Sequence, residues 1–260
     1  MSTVPGWLRE VPIAHRGLHG SRSDGDRTPE NSVAAFRAAA AAGYGVELDV
    51  HVTADAELVV LHDDDTRRTT GVDRRVATTR LAELAELPLE GTTERVPALR
   101  RVLDELDGSA PVLVEVKAGT PAGVVGPLVA DLLAGRRDVA VQSFDPRIVG
   151  WFARHARDVT RGQLAGRGEG LPWALRPLLR AMVGNAVVRP HFLAHDVGAL
   201  ADPPLRAWRA LLDAPLLAWT VRDAATLRTA RAAGANVIFE GVDPLSVPAR
   251  DGRGRRRPPR

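Results

Sequence analysis

Cysteine is absent from the 260 residues. That excludes disulfides, a thiolate nucleophile, Cys-ligated zinc and iron–sulfur clusters, and leaves only metals held by oxygen or histidine. Lysine is nearly absent too, since Lys117 stands alone among 35 basic residues. Long apolar runs are missing: none approaches the roughly 20 residues that span a bilayer. Met1 to Glu10 carries no basic stretch and no small-residue cleavage pattern, so a cytoplasmic protein without a transmembrane segment is the expectation. A dominant sign of charge is also lacking. The net charge is +3, but residues 250–260 hold six arginines against one aspartate, leaving 29 basic and 31 acidic groups before them. A slightly acidic body gives no footprint for nucleic acid. The chain divides on this reading into one domain, residues 1–249, and an arginine-rich disordered tail, residues 250–260.

What is present is ordinary globular material, 45% hydrophobic and 26% charged, arranged as short β-branched runs alternating with longer Ala-, Leu- and Arg-rich stretches. Strands are expected at Val11–Ala14, Val46–Val50, Leu58–Leu61, Val112–Val116, Val139–Gln142, Val159–Gln163, Ala186–Phe192, Leu216–Val221 and Val237–Phe239. Helices fall between them, at 99–106, 124–133, 146–156, 172–182, 204–212 and 224–233. A further helix follows Asn31 as its N-cap and ends at Gly43. Thr66 to Pro97 interrupts the alternation and reads as an insertion or a weakly structured loop pair. Eight core strands plus one short extra in a chain of this length fit a single-domain α/β fold, the (β/α)8 TIM barrel. A doubly wound open sheet shares the same periodicity.

Four short motifs carry polar residues where such a barrel would expose them: Ala14-His15-Arg16-Gly17, Glu47-Leu48-Asp49-Val50-His51, Leu61-His62-Asp63 and Val114-Glu115-Val116-Lys117. Strand alternation puts Glu47, Asp49 and His51 on one face, and Glu115 with Lys117 on another. Ionised carboxylates in a strand-rich core are unfavourable unless neutralised. Glu47, Asp49 and Glu115 together suit a hard divalent cation such as Mg²⁺ or Ca²⁺, with ion pairing at a barrel rim as the bland alternative. Arg16 and Lys117 are the neighbouring cations, and both they and a metal would attract a phosphate. His15 and His62, at the ends of different strands, suit a general acid and base. His51 either lines the pocket or fills the barrel mouth, and His191 and His195 lie beside Asp196 near another strand edge.

These residues resemble the glycerophosphodiester phosphodiesterase family, a TIM barrel related to phosphatidylinositol-specific phospholipase C. The matching pieces are His15-Arg16-Gly17, Pro29-Glu30-Asn31-Ser32, Glu47-Leu48-Asp49-Val50, Leu61-His62-Asp63, Thr69-Thr70-Gly71, Val114-Glu115-Val116-Lys117, Ser143-Phe144-Asp145 and Leu217-Ala218-Trp219-Thr220-Val221. The resemblance implies a divalent metal on Glu47, Asp49 and Glu115, catalytic His15 and His62, phosphate contacts from Arg16 and Lys117, and a substrate contact from Trp219. It implies hydrolysis of small glycerophosphodiesters to sn-glycerol 3-phosphate and an alcohol. The alternatives are lysophospholipase D-type cleavage of lysophospholipids and an inactive phosphate-binding barrel. The sequence departs from the family at its last strand, where Glu240 either replaces the usual acidic group or caps the strand. It also departs between Gly17 and Pro29, a long segment containing Asp24 and Asp26.

Overall fold

Eleven strands organise the computed structural model, which describes residues 4–21, 27–166 and 182–246. They are β1 (Ile13–Ala14), β2 (Gly20–Ser21), β3 (Arg27–Thr28), β4 (Gly45–Val52), β5 (Leu58–Val60), β6 (Val112–Val116), β7 (Val139–Ser143), β8 (Thr160–Ala165), β9 (Phe192–Asp196), β10 (Leu216–Val221) and β11 (Asn236–Phe239). Eight of them, β1, β4 and β6 to β11, pair in parallel. The ring closes because Ile13 of β1 is in register with both Ile238 of β11 and Gly45 of β4. This closed ring decides between the two architectures open to the sequence: the sheet is a barrel in a single domain. The extra strand is β5, which runs antiparallel along the end of β4.

Alternation sorts the strands into two cores. Val46, Leu48 and Val50 of β4 and Val112, Val114 and Val116 of β6 point outward into the layer shared with the helices. The inward set of Ile13, Leu113, Ala140, Leu164, Phe192, Ala194, Leu217 and Ile238 packs the barrel interior around Leu8. Leu8 sits on the short helix α1 (Trp7–Glu10) and is fully buried. Asn236, at the start of β11, donates from Nδ2 to the carbonyls of Leu8 at 3.2 Å and Val11 at 2.8 Å. That end of the barrel is therefore plugged with apolar material, and the polar inward residues lie above it. Gly162 makes the interior packing possible: a Cβ there would stand 2.1 Å from the Phe192 ring.

Local differences from expectation have identifiable causes. The strand expected over Ala186–Phe192 begins only at Phe192, and Asn185–Val188 is instead a short helix. Pro190 cannot donate to a ladder, and Arg189 adopts a positive φ of 41°. Asn31 is not the cap of the helix over Val33–Ala41; Ser32 is, its Oγ accepting from the Ala35 amide at 3.1 Å. Asn31, at φ 54°, points back to the barrel instead. The 66–97 stretch is ordered around a small core of its own, in which Val76, Leu84, Leu89 and Val96 pack on Val59 and Leu61. The helix expected over 172–182, apart from Met182, and the tail at 250–260 lie outside the described residues. Among the described residues no helix is long and apolar enough to cross a membrane.

Candidate functional site

The polar side chains of His15, Arg16, Glu47, Asp49, His62, Glu115 and Lys117 come together at the C-terminal ends of the strands. There a cavity of about 470 Å³ is lined by His15, Arg16, Glu47, Asp49, His62, Glu115, Lys117 and Trp219, with Gln142, Phe144, Asp196 and Arg222 among the other contributors. This is the end of a β/α barrel from which side chains of several strands converge. Glu47 and Asp49 face inward from β4, and Glu115 is the cross-strand partner of Asp49.

The three carboxylates are all buried, and their ligand oxygens lie within 4.8 Å of one another. Burial pushes Glu47 well above the usual carboxylate range, and the neighbouring charges of Asp49 and Glu115 push it further. Burial raises Glu115 too, with Lys117 opposing and Asp49 adding to the rise. Asp49 is the exception. Burial also opposes its ionisation, but Lys117 and Arg16 outweigh it and hold the carboxyl far below the ordinary value. Lys117 Nζ lies 2.8 Å from Asp49 Oδ1 and 2.7 Å from Glu115 Oε1. Arg16 Nε is 3.4 Å from Asp49 Oδ2. Three hard oxygen donors that, once all ionised, carry more negative charge than Arg16 and Lys117 cancel are a donor set that fits a divalent cation of the Mg²⁺ or Ca²⁺ kind.

The turn after β1 presents this group. Gly17, at φ 80°, is required there because a Cβ would meet the Ala35 backbone and side chain at 2.8 Å. Arg16 takes a left-handed φ of 56°, which aims its amide at Glu47 Oε2, 3.0 Å away. Its guanidinium donates to Glu30 Oε1 at 2.9 Å. Glu30 in turn accepts two bonds from Arg68, at 2.7 and 2.9 Å, and Arg68 Nε donates to Asp63 at 2.6 Å.

The two histidines line the same cavity as the carboxylates, each with a further carboxylate on Nδ1. His15 Nδ1 is 3.1 Å from Glu240 Oε2, and His62 Nδ1 is 2.7 Å from Asp63 Oδ1. Burial depresses the pKa of both rings: Glu240 offsets part of it at His15, and Asp49 part of it at His62. The hydrogen bond with His15 draws Glu240 down to about 2. His51, on the same strand face as Glu47 and Asp49, does not line the cavity; it donates from Nε2 to the His62 carbonyl at 3.1 Å. His191 and His195 are also outside the cavity lining, whereas Asp196 is part of it. Trp219 packs edge-on against Phe144 at 5.6 Å at the apolar wall.

Several contributors had no signal of their own in the sequence. Asn31 donates from Nδ2 to Asp49 Oδ2 at 3.0 Å. Glu30 and Arg68 tie the two histidine-bearing loops together, and Gln142 enters the cavity from β7. Glu30 and Asn31 sit inside the Pro-Glu-Asn-Ser motif, whose presence was legible although their tasks were not.

The chain is similar to several known proteins. A glycerophosphodiester phosphodiesterase of Caldanaerobacter subterraneus subsp. tengcongensis is 38% identical over 121 residues, 43% of this chain and 47% of that protein. A lysophospholipase D of Rattus norvegicus is 33% identical over 118 residues, 40% of this chain and 35% of its own length. The chain thus spans about half the length of the curated relatives it matches, or less. The structure of an Oleispira antarctica phosphodiesterase in complex with the product sn-glycerol-3-phosphate superposes with a TM-score of 0.73 at 22% identity, covering 90% of this chain and 93% of that one; at that identity the likeness speaks for the fold. The family model for glycerophosphoryl diester phosphodiesterases matches residues 15–240, and the chain belongs to that family.

Proposed function

We propose that this protein hydrolyses glycerophosphodiesters to sn-glycerol 3-phosphate and an alcohol, with a divalent cation of the Mg²⁺ or Ca²⁺ class held by Glu47, Asp49 and Glu115. The observation that carries the reading is that a buried carboxylate triad and two carboxylate-backed histidines line one cavity. When bound, the cation would supply Lewis-acid polarisation of the phosphoryl group and favour ionisation of the attacking oxygen, either a water or the neighbouring glycerol hydroxyl, whose cyclic ester a water then opens.

The chain's own residues account for the rest. Arg16 and Lys117 line the cavity and neutralise the phosphoryl oxygens as negative charge builds on them. Their positions are set in advance, Arg16 by Glu30 and Asp49 and Lys117 by Asp49 and Glu115. His15 and His62 act as the proton-transfer pair, one taking the proton of the attacking oxygen and the other giving one to the departing alcohol. With a carboxylate on Nδ1 in each ring, Nε2 is the nitrogen that exchanges protons with substrate. Trp219 and Phe144 form the apolar wall along which the substrate's carbon skeleton lies.

The test is protein stripped of metal and resupplied with Mg²⁺, Ca²⁺, Mn²⁺ or Zn²⁺, assayed for sn-glycerol 3-phosphate release from a panel of glycerophosphodiesters. Release that needs a divalent ion supports the reading. No release from any substrate with any ion sinks it.

One observation favours a second reading, lysophospholipase D-type cleavage. Phe144 lines the cavity yet is 44% exposed, an apolar surface on which an acyl chain would lie. Rates on glycerophosphocholine and on a long-chain lysophosphatidylcholine separate the two.

A further inference from the structure

Gln142 occupies a position that the chemistry above does not use. Asp49, Glu115, Gln142 and Gly162 are successive cross-strand partners on β4, β6, β7 and β8. Gln142 thus sits beside the carboxylates in the same row of inward-facing positions. Its side chain is 2% exposed, and its Oε1 is buried with no hydrogen-bond partner. On the far side Gly162 offers no side chain, and the Phe192 ring that fills the space has no hydrogen-bonding group. Gln163, the cross-strand partner of Ser143 on β8, is held by the backbone: its Nε2 donates to the carbonyls of Ser143, Phe144 and Leu164 at 3.0–3.3 Å, although its Oε1 is likewise buried without a partner, so what separates the two glutamines is where they face. Gln142 lines the cavity instead.

An unpaired buried amide is destabilising by itself, and its place in a cavity makes a ligand the natural partner. The chemistry of that ligand group follows from the amide. A carbonyl oxygen accepts, so it repels a phosphoryl oxygen, and the phosphate already has Arg16 and Lys117. The complementary group is an uncharged donor. A hydroxyl satisfies either end of an amide, because it both donates and accepts. The glycerol moiety carries two. The one vicinal to the phosphoester is kept close to phosphorus by its bonds, whereas the distal one is a carbon further out and has the reach to meet a side chain beside the carboxylates.

We infer that Gln142 selects the glycerol moiety of the substrate by hydrogen bonding its distal hydroxyl. This rests on the phosphodiesterase reading and deepens it, since it assigns the discrimination between glycerol and shorter diol esters to one residue. The side chain is a substrate-recognition group that takes no part in proton transfer.

The experiment compares glycerol p-nitrophenyl phosphate with 2-hydroxyethyl p-nitrophenyl phosphate, which share a leaving group and a vicinal hydroxyl and differ in the distal hydroxymethyl. In the wild-type protein kcat/KM favours the glycerol ester about 10- to 100-fold, the usual effect of leaving a buried polar partner unpaired. Gln142→Met, which keeps the length and loses the amide, removes that preference while changing the rate on the 2-hydroxyethyl ester by less than about threefold. Its melting temperature equals or exceeds the wild type's, because an unsatisfied amide has been removed. A wild-type protein that cleaves both esters without preference overturns the inference, whatever the variant does. So does a variant that slows both equally, which would place Gln142 in the common machinery. Failure of the wild-type protein on both esters sinks the phosphodiesterase reading itself, and this inference with it.

Discussion

His15 and Glu240 lie 225 residues apart and meet at the seam where the last strand closes on the first, with Nδ1 of the ring 3.1 Å from the carboxylate. The contact exists because β1 pairs with β11, Ala14 in register with Phe239, so the residues that follow each strand emerge side by side. Glu240 is also held from outside by Arg222, 3.1 Å away. A carboxylate in this place orients the imidazole and fixes the tautomer with its proton on Nδ1. Glu240→Gln loses the charge but keeps the size. It should lower kcat by about 10- to 10³-fold with KM and melting temperature little changed, and Glu240→Asp should recover part of the loss. Steady-state kinetics on the three proteins decide it, and an unimpaired Gln variant would reduce Glu240 to a strand cap.

The histidines themselves should show the larger effect. His15→Ala and His62→Ala are each expected to cut turnover by about 10²- to 10⁴-fold while leaving the circular dichroism spectrum unchanged. Near-normal rates in both variants on every phosphodiester tried would remove the pair from the mechanism.

Metal removal and the carboxylates make a contrasting pair of predictions. A divalent ion that binds only the folded protein stabilises it by about 2.7 kcal/mol at a hundredfold excess over its Kd. The wild-type melting temperature should therefore rise with Ca²⁺ or Mg²⁺, and Glu47→Gln should abolish the rise. Without metal the same variant should melt no lower than wild type, because burial and neighbouring carboxylates already disfavour the charge on Glu47. Asp49→Asn should behave oppositely and melt lower even without metal, since it strips Lys117 and Arg16 of their shared buried partner. Identical melting of the two metal-free variants would refute this division of charge.

A pH effect on stability should come from the other end of the barrel. Burial, reinforced by Arg161, lowers His191 from 6.5 to about 4, and its Nδ1 accepts from the Arg161 amide at 3.4 Å. Below pH 6.5 the unfolded chain takes up a proton on this ring that the folded protein refuses. The stabilisation is complete above about pH 6.5, declines as pH falls, and is lost below about pH 4. Urea midpoints measured from pH 4 to 8 should fall more steeply below pH 6.5 for wild type than for His191→Asn, which carries no proton to take up and has the flatter profile. Parallel profiles would exclude His191 as the source.

Chain-local pattern and tertiary structure determine different parts of this site. Glu47, Asp49 and Glu115 were recognisable because strand periodicity alone places them on one face of each strand, and His15 and His62 because both end strand-like runs. The eight-strand count was legible for the same reason. What misled was local. Val187 and Val188 look like a strand, but Pro190 and the left-handed Arg189 prevent one. Asn31 looks like a cap, but the adjacent Ser32 takes that task and frees Asn31 to bond Asp49. The stretch from Thr66 to Pro97 lacked periodicity because its core is only a handful of side chains shared with β5.

Alternation and residue type are properties of neighbours in the chain, and they sufficed for which side chains are polar, which way they face along a strand, and what a cluster of such groups would bind. Whether the sheet closes is not such a property. It depends on the first strand finding both β4 and β11, contacts whose separation leaves no periodic trace. Everything that followed from closure was therefore decided only in the folded protein: the pairing of His15 with Glu240, the Arg68 bridge between Glu30 and Asp63, and the exposure of the Gln142 amide to the cavity. A residue's chemistry is local, but its partner is chosen by the fold.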